Sequence, residues 1–248
     1  MIKKIGILNV QGLPAMHGAY EQTTAMFVEY AKKLSPHIKF YVSTKSELKK
    51  ISYSSKNVER VFVNRSPALG ILLYGLVAFL KMYLKGCREF YVFGLSITHF
   101  FPLMRLMGCK IICNTDGFEW RREKWGKIAR IHWRICEFLV VRFATTLVFD
   151  SEVIHRYYRL YHKVSGPVIL YGSEDFTPYE NNTDDYYVVV MRMEPENNIL
   201  SIVKGFINSK SSKELKLIGP STKYFENNIL PLINSDQRVD WLGPIYNR

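Results

Sequence analysis

The stretch from Ile111 to Trp125, IICNTDGFEWRREKW, holds the residue types best suited to chemistry in this chain. Its apolar start predicts the end of a buried strand, and Asp116 and Glu119 follow it. Because ligand sites of open α/β sheets lie at the carboxyl ends of strands, these two carboxylates are candidates for a functional site. The alternative is a capped loop before a helix, with Asp116 as a turn residue.

The chain is basic, with a formal net charge of +12 over 248 residues. Basic proteins bind nucleic acids, anionic membrane surfaces or phosphorylated substrates. Eight basic and three acidic residues lie between Arg105 and Arg134, with Trp120, Trp125 and Trp133 among them. Cations mixed with indoles suit a lipid headgroup interface at least as well as a nucleic acid. The alternative is a basic face that only solvent covers.

The composition indicates a folded protein, since 48% of the residues are hydrophobic and can form a buried core. The first residues lead directly into a predicted strand, so no signal peptide is expected. The cysteines have neither zinc-ligand spacing nor a paired framework, and this predicts free thiols in a cytosolic protein. They are Cys87, Cys109, Cys113 and Cys136.

Strands and helices alternate through the first part of the chain, and this alternation predicts a mostly parallel, doubly wound sheet. The predicted strands are 4–10, 39–43, 57–63, 89–95, 110–113, 146–149 and 167–171. The predicted helices are 21–34, 67–84, 98–107, 126–143 and 152–161. In the helix 126–143, four apolar residues fall at helical spacing and are predicted to face the core. They are Ile128, Ile131, Ile135 and Phe138.

The loop 11–20 joins the first predicted strand to the first helix and contains Gly12 and Gly18. Such a loop can present backbone N–H groups to a phosphate. Its spacing is not GxGxxG, and no acidic ribose-binding residue follows the second strand, which disfavours a dehydrogenase. His17 is a candidate substrate contact, and the alternative is an exposed loop histidine.

The polar run 174–185 is predicted to be a linker between a domain at 1–173 and a domain at 186–248. The second domain begins another βαβαβ unit, with strands at 186–191, 214–219 and 238–242 and helices at 199–207 and 224–233. Arg192 lies before the first of these helices. A guanidinium beside a helix N-terminus can hold a diphosphate, and the alternative is a surface arginine paired with Glu194 or Glu196.

Four motifs in order carry a family resemblance that covers essentially the whole chain. They are QGLPAMHGAYE (11–21), NTDGFEWRREKW (114–125), DSEVIHRYY (150–158) and VVVMRMEPENN (188–198). Together they resemble the rhamnosyltransferase-like enzymes of bacterial capsule and exopolysaccharide synthesis. That group belongs to the retaining family four of GT-B glycosyltransferases.

The resemblance implies a GT-B fold, with two Rossmann-like, doubly wound parallel-sheet domains that face each other across a cleft. The N-terminal domain would take the acceptor, and the partial C-terminal domain would take the nucleotide-sugar. The implied donor-binding residues are Gly12, Gly18, Arg192, Glu196 and Asn197. Asp116 and Glu119 would be the catalytic residues that orient a sugar hydroxyl, with His17 and Trp120 on the acceptor side.

The resemblance also implies a reaction. A sugar, expected to be rhamnose from dTDP-rhamnose, would be transferred with retention onto a lipid-linked saccharide. No metal or other cofactor is expected, because basic groups and a helix N-terminus can stabilise the leaving diphosphate. The expected partners are the nucleotide-sugar, the lipid-linked acceptor and an anionic membrane surface, without nucleic acid. The expected location is cytoplasmic, on the inner face of the cell membrane.

The chain departs from the family pattern in two places. Ala19 stands where a second glycine is usual, and a Cβ there restricts close approach of the backbone to a ligand. The family's donor domain also continues beyond the position of Arg248, so the sequence predicts an incomplete second domain. There are two alternatives to an active glycosyltransferase. One is an inactive, membrane-associated interaction subunit, and the other is a basic nucleic-acid-binding protein.

Overall fold

The computed structural model describes residues 2–16, 18–64, 70–172 and 185–245. The chain has two compact units, and the first of them comprises Met1–Arg121 and Trp125–Ser173. Among its described residues, six parallel strands form one sheet, here called the first sheet. They are β1 Lys3–Leu8, β2 Ile38–Lys45, β3 Val58–Val63, β4 Glu89–Phe93, β5 Lys110–Asn114 and β6 Thr146–Val148. Their order is β3-β2-β1-β4-β5-β6, which confirms the predicted doubly wound parallel sheet. The order reverses between β1 and β4, at the switch point where open α/β sheets bind ligands.

Helices cover the first sheet. Within the described residues of this unit they are α1 Ala19–Leu34, α2 Gly70–Leu84, α3 Phe101–Leu106, α4 Lys127–Phe143 and α5 Glu152–Tyr157. Short 3₁₀ turns lie at Ser46–Lys50, Thr98–Phe100 and Glu119–Arg121, and a π turn at Tyr158–His162. Ser151 caps α5, since its Oγ accepts from the backbone N–H of Ile154 at 3.3 Å. Among the described residues, none of the helices combines the length and the apolar character needed to cross a bilayer.

The core of the first unit lies on both faces of the first sheet. The very apolar helix α2 buries Tyr74, Ala78, Phe79 and Met82 against one face, while Leu84 is 84% exposed. The four cysteines, all within the described residues, are buried free thiols as predicted.

The predicted strand at 167–171 is wrong. Among the described residues, this segment pairs only through a single bridge between Phe149 and Val168. The neighbouring β6 ends at Val148, and Pro167 has no N–H to extend the ladder. Ile169 and Leu170 consequently stay 57% and 68% exposed.

The predicted core face of α4 is also wrong. Four apolar side chains, here called the α4 stripe, point to solvent with exposed fractions of 86%, 62%, 48% and 63%. In chain order they are Ile128, Ile131, Ile135 and Phe138. The buried side of α4 carries Cys136, Glu137 and Val140 instead. Helical spacing identifies an apolar stripe, but the hydrogen-bond donors that meet Glu137 decide which side faces inward.

In the described part of the chain, Glu137 accepts three hydrogen bonds while only 3% exposed. The donors are Trp120 Nε1 at 2.8 Å, Tyr157 Oη at 2.7 Å and His162 Nε2 at 2.6 Å. The Arg134 guanidinium also lies 3.5 Å from the centroid of the Trp120 ring. Glu137 thereby ties α4 to the segment after β5 and to the end of α5.

The second unit contains, within its described residues, a parallel sheet in the order β7-β8-β9. Its elements are β7 Tyr186–Val190, α6 Ile199–Ile207, β8 Glu214–Ile218, α7 Lys223–Asn228, α8 Leu230–Ile233 and β9 Val239–Gly243. This confirms the predicted βαβαβ unit. The predicted helix 224–233 is two helices, because Pro231 cannot continue the hydrogen bonding of the preceding turn.

The second of the two compact units comprises Arg122–Lys124 and Glu174–Arg248. The predicted linker 174–185 lies outside the described residues except for Asp185. The predicted domain boundaries, 1–173 and 186–248, stay a prediction.

Replacing Glu137 should test how far its hydrogen bonds stabilise the first unit. We expect Glu137→Gln to lower the free energy of unfolding by about 2–3 kcal/mol, because hydrogen bonds to a charged buried acceptor are strong and the amide cannot accept all three. Urea denaturation measures the change. Glu152→Gln is the matched control, since that side chain is 80% exposed and should cost less than about 0.5 kcal/mol. Equal losses in the two variants would contradict the role of Glu137.

Candidate functional site

Polar side chains gather at the carboxyl edge of the first sheet. Asn9 follows β1, Ser96 lies beyond β4, and Asp150 follows β6. Ser96 Oγ donates to Asn9 Oδ1 at 2.8 Å, and the Asn9 amide donates to the carbonyl oxygen of Phe93. These contacts join the ends of β1 and β4, so the two sides of the switch point are linked by side chains.

Asp116 is held at the same edge in a defined orientation. Its backbone is left-handed, with φ 54°, and its N–H donates to Asn114 Oδ1 at 2.9 Å. Tyr20 Oη, from the first turn of α1, donates to Asp116 Oδ2. Burial and then the charge of Asp116 raise the pKa of Tyr20, so the phenol keeps its proton and acts as a donor. Asp116 is therefore a turn residue and an oriented carboxylate, and its catalytic role stays a prediction.

Asp150 has a different environment from Asp116. Its Oδ1 is buried and has no hydrogen-bond partner among the described residues, as is also true of Thr115 Oγ1. Burial and then the charge of Asp116 raise the pKa of Asp150 above that of an ordinary aspartate. Burial and both carboxylates also raise the pKa of Tyr171. Unpartnered buried polar atoms are rare in folded proteins, so this edge has free capacity to hydrogen-bond a ligand.

Two carboxylates in different environments can serve different purposes. Asp116, which Tyr20 holds, can accept a hydrogen bond from a hydroxyl group in a fixed direction. Asp150, whose pKa is raised, is a stronger base than an ordinary aspartate and can accept a proton from a hydroxyl group. The edge is thus suited to a ligand rich in hydroxyl groups.

The other predicted residues after β5 have their own partners. Glu119 Oε2 accepts from Trp125 Nε1 at 3.2 Å, while the Trp120 indole N–H is used by Glu137. The Trp125 indole therefore helps to fix the direction of the Glu119 carboxylate. The catalytic role of Glu119 and the acceptor contact of Trp120 stay predictions.

Gly12 and Gly18 have local reasons to be glycine. Their φ angles are 125° and 100°, and a Cβ would lie 2.5 Å from Thr44 Cγ2 at Gly12 and 2.1 Å from Glu21 Oε2 at Gly18. Glu21, which is 5% exposed, accepts from the Gln11 N–H at 2.7 Å and closes the loop onto α1. The predicted contact of both glycines with the donor stays a prediction, and His17 lies outside the described residues.

Arg192, Glu196 and Asn197 lie together in the second unit. The carbonyl oxygen of Arg192 accepts from Asn197 Nδ2 at 2.6 Å, and the Arg192 side chain is exposed. Glu196 and Asn197 form a 3₁₀ turn with Pro195, and α6 begins two residues later at Ile199. Asn197 thus fixes the backbone that carries Arg192. Binding of a donor by these three residues stays a prediction.

The sequence did not single out Tyr20, Asp150 or Tyr171 as site residues. Asp150 carried a usable signal, because it directly follows a predicted strand of a parallel sheet. Tyr20 and Tyr171 carried none, since one lies on a helix and the other ends a segment that forms only a single bridge. Only tertiary structure brings these two phenols to the carboxylates.

The first unit matches the model of a known protein family. Residues 2–174 match the family model described as Domain of unknown function (DUF1972). The chain belongs to this family. No curated protein matches the chain.

Solved structures share the fold at low sequence identity. Anabaena Alr3699/HepE in complex with UDP and glucose is 16% identical, with a TM-score of 0.66 over 98% of this chain and 70% of that chain. S. aureus MnaA with UDP is 14% identical, with a TM-score of 0.64 over 98% and 69%. An anthocyanidin 3-O-glucosyltransferase with UDP is 9% identical, with a TM-score of 0.60 over 97% and 72%. The predicted GT-B fold is confirmed, whereas membership of family four, retention and rhamnose stay predictions.

The raised pKa of Asp150 predicts a stability effect with a definite sign. Between its ordinary pKa and its raised pKa, the folded state binds more protons than the unfolded state, so stability falls as pH rises through this window. We expect Asp150→Asn to raise the free energy of unfolding by up to about 1 kcal/mol near pH 7, because the substitution removes a charge that partial burial and the charge of Asp116 disfavour. The gain should shrink as pH falls toward about 4.

Urea denaturation of both proteins across this pH range measures the effect. Asp236→Asn is a control of opposite sign, because Arg238 lowers the pKa of Asp236 and its loss should destabilise the protein more at neutral than at acidic pH. A loss of stability in Asp150→Asn near neutral pH would contradict the assignment.

Proposed function

We propose that this chain is a glycosyltransferase that uses a nucleotide-sugar donor and a saccharide acceptor. The observation that carries the proposal is the carboxyl edge of β5 and β6, where the Tyr20 phenol orients Asp116. Beside it, Asp150 Oδ1 and Thr115 Oγ1 are buried and lack partners among the described residues. Solved proteins of the same fold bind UDP, which supports a nucleotide-sugar as the donor.

In this proposal the acceptor sugar lies at the carboxyl edge of the first sheet. An acceptor hydroxyl group donates to Asp116, whose direction is set by the Tyr20 phenol, and Asp150 and Glu119 contact neighbouring hydroxyl groups. The fixed carboxylate orients the attacking oxygen without a large reorganisation, which lowers the barrier for transfer. His17 and Trp120 belong to the same acceptor side.

The donor diphosphate is assigned to Arg192, Glu196 and Asn197, together with the loop that contains Gly12 and Gly18. The Arg192 side chain is exposed, and Asn197 holds its backbone just before the positive end of α6. A guanidinium and a helix N-terminus can stabilise the charge that develops on a leaving diphosphate, so the proposed transfer uses no metal.

The finer proposal rests on the resemblance of the four motifs. It assigns the chain to family four, with transfer of rhamnose from dTDP-rhamnose to a lipid-linked saccharide in capsule or exopolysaccharide synthesis. The sugar bond is formed with retention, and the leaving phosphate helps to remove the acceptor proton.

Calorimetric titration with dTDP-rhamnose, UDP-glucose, dTDP and UDP tests the donor assignment. We expect one nucleotide-sugar to bind, and Arg192→Ala to weaken it by at least about tenfold, since a charge-assisted hydrogen bond is lost. Lys204→Ala is the control, because Lys204 is an exposed cation on α6 of the same unit and should not change the affinity.

Other outcomes separate the alternatives. A folded chain that binds none of these nucleotides contradicts the donor assignment and favours the inactive interaction subunit. Tight, salt-dependent binding of arbitrary duplex DNA would favour the nucleic-acid-binding alternative.

We also propose that the chain binds an anionic membrane surface on the cytoplasmic side, where a lipid-linked acceptor is found. The α4 stripe supports this, since its four apolar side chains are exposed. Exposed Lys127, Arg130 and Arg134 lie on the same helix and have the charge that anionic headgroups attract. An exposed apolar face beside cations is typical of helices that lie in the membrane interface.

Co-sedimentation with phosphatidylglycerol vesicles and with phosphatidylcholine vesicles tests the membrane assignment. We expect binding to the anionic vesicles only, and Ile131→Asp with Ile135→Asp to reduce it by at least about tenfold, because buried apolar area is lost. Ile169→Asp changes an equally exposed isoleucine outside α4 and should leave binding unchanged. Equal binding of the double variant would contradict the role of the α4 stripe.

A further inference from the structure

His99, His132 and Cys136 form a cluster between the Thr98–Phe100 turn and α4. Cys136 Sγ lies 3.8 Å from His99 Nδ1 and 3.6 Å from His132 Nε2. All three potential ligand atoms lie within 4.8 Å of one another. The two imidazole rings are stacked, with centroids 4.9 Å apart. None of these residues takes part in the proposed transfer reaction.

The two sulfur–nitrogen distances in this cluster agree with the geometry of a zinc site. Tetrahedral zinc binds sulfur at about 2.3 Å and nitrogen at about 2.0–2.1 Å, which places ligand sulfur and nitrogen atoms about 3.6 Å apart. The two measured sulfur–nitrogen distances are 3.8 and 3.6 Å. His132 and Cys136 lie four residues apart on α4, so they share one helical face. The third ligand comes from a different element, which makes the cluster a tertiary feature.

The cluster is reachable from solvent on one side. His99 and His132 are partly buried, and Cys136 is fully buried. His132 also lines a surface depression together with Trp125, Lys127, Ile128, Ala129 and Trp133. An ion can therefore approach through this depression, and a fourth ligand can come from the same side.

We propose that His99, His132 and Cys136 bind one zinc ion, with water as the fourth ligand. On binding, the Cys136 thiol releases its proton to solvent and its sulfur forms the bond to zinc, while both imidazoles bind as neutral ligands. A thiolate with two imidazoles favours zinc over magnesium or calcium. The ion would fasten α4 to the Thr98–Phe100 turn.

The full chain, reduced and freed of metal by a chelator, is titrated with Co²⁺ and then with Zn²⁺. We expect one Co²⁺ per chain, a near-ultraviolet absorption band from thiolate-to-cobalt charge transfer, and loss of this band when Zn²⁺ displaces Co²⁺. Cys136→Ser should abolish the band. His99→Gln and His132→Gln should each weaken zinc binding by at least about tenfold.

Cys109→Ser is the matched control, because Cys109 is another fully buried cysteine of the same unit and is absent from the cluster. It should keep both the band and the zinc affinity of the parent chain. A parent chain that is folded by circular dichroism but shows no charge-transfer band would overturn the proposal. A band that survives Cys136→Ser would overturn it as well, and the parent titration decides even where a variant does not fold.

Discussion

A buried carboxylate on α4 is the constraint on which much of the first unit depends. Glu137 is only 3% exposed, and its carboxylate accepts hydrogen bonds from Trp120, Tyr157 and His162. Burying a carboxylate is costly unless its oxygen atoms are hydrogen-bonded, so α4 can dock only where these donors converge. This docking sets the rotation of α4. It also fixes the segment after β5, which carries Asp116, and the end of α5.

The rotation of α4 has consequences on both of its sides. The inward side brings Cys136 next to His99 and His132, which creates the cluster that suits a soft cation. The outward side leaves the α4 stripe exposed beside cationic side chains. The hydrogen bonds of Glu137 therefore determine both the position of the cluster and the exposure of the α4 stripe.

The candidate active site follows from strand topology. Parallel strands end at a common edge, so Asn9, Asp116 and Asp150 converge although they are far apart in the chain. Their environments then diverge, because Tyr20 hydrogen-bonds Asp116 while Asp150 Oδ1 has no partner among the described residues. Carboxylates made unequal in this way are a common basis of acid–base function.

The sequence by itself determined the alternation of strands and helices, the parallel sheets and the position of Asp116 after β5. Apolar runs and turn residues act over a few neighbouring residues, so local pattern is sufficient for these features. Only the tertiary structure decided which side of α4 is buried, that 167–171 forms no strand, and that Tyr20 reaches Asp116. It likewise brought His99 to His132 and Cys136. These outcomes depend on residues far apart in the chain, which compete for hydrogen bonds to the same buried polar groups. The local spacing of residues contains no information about that competition.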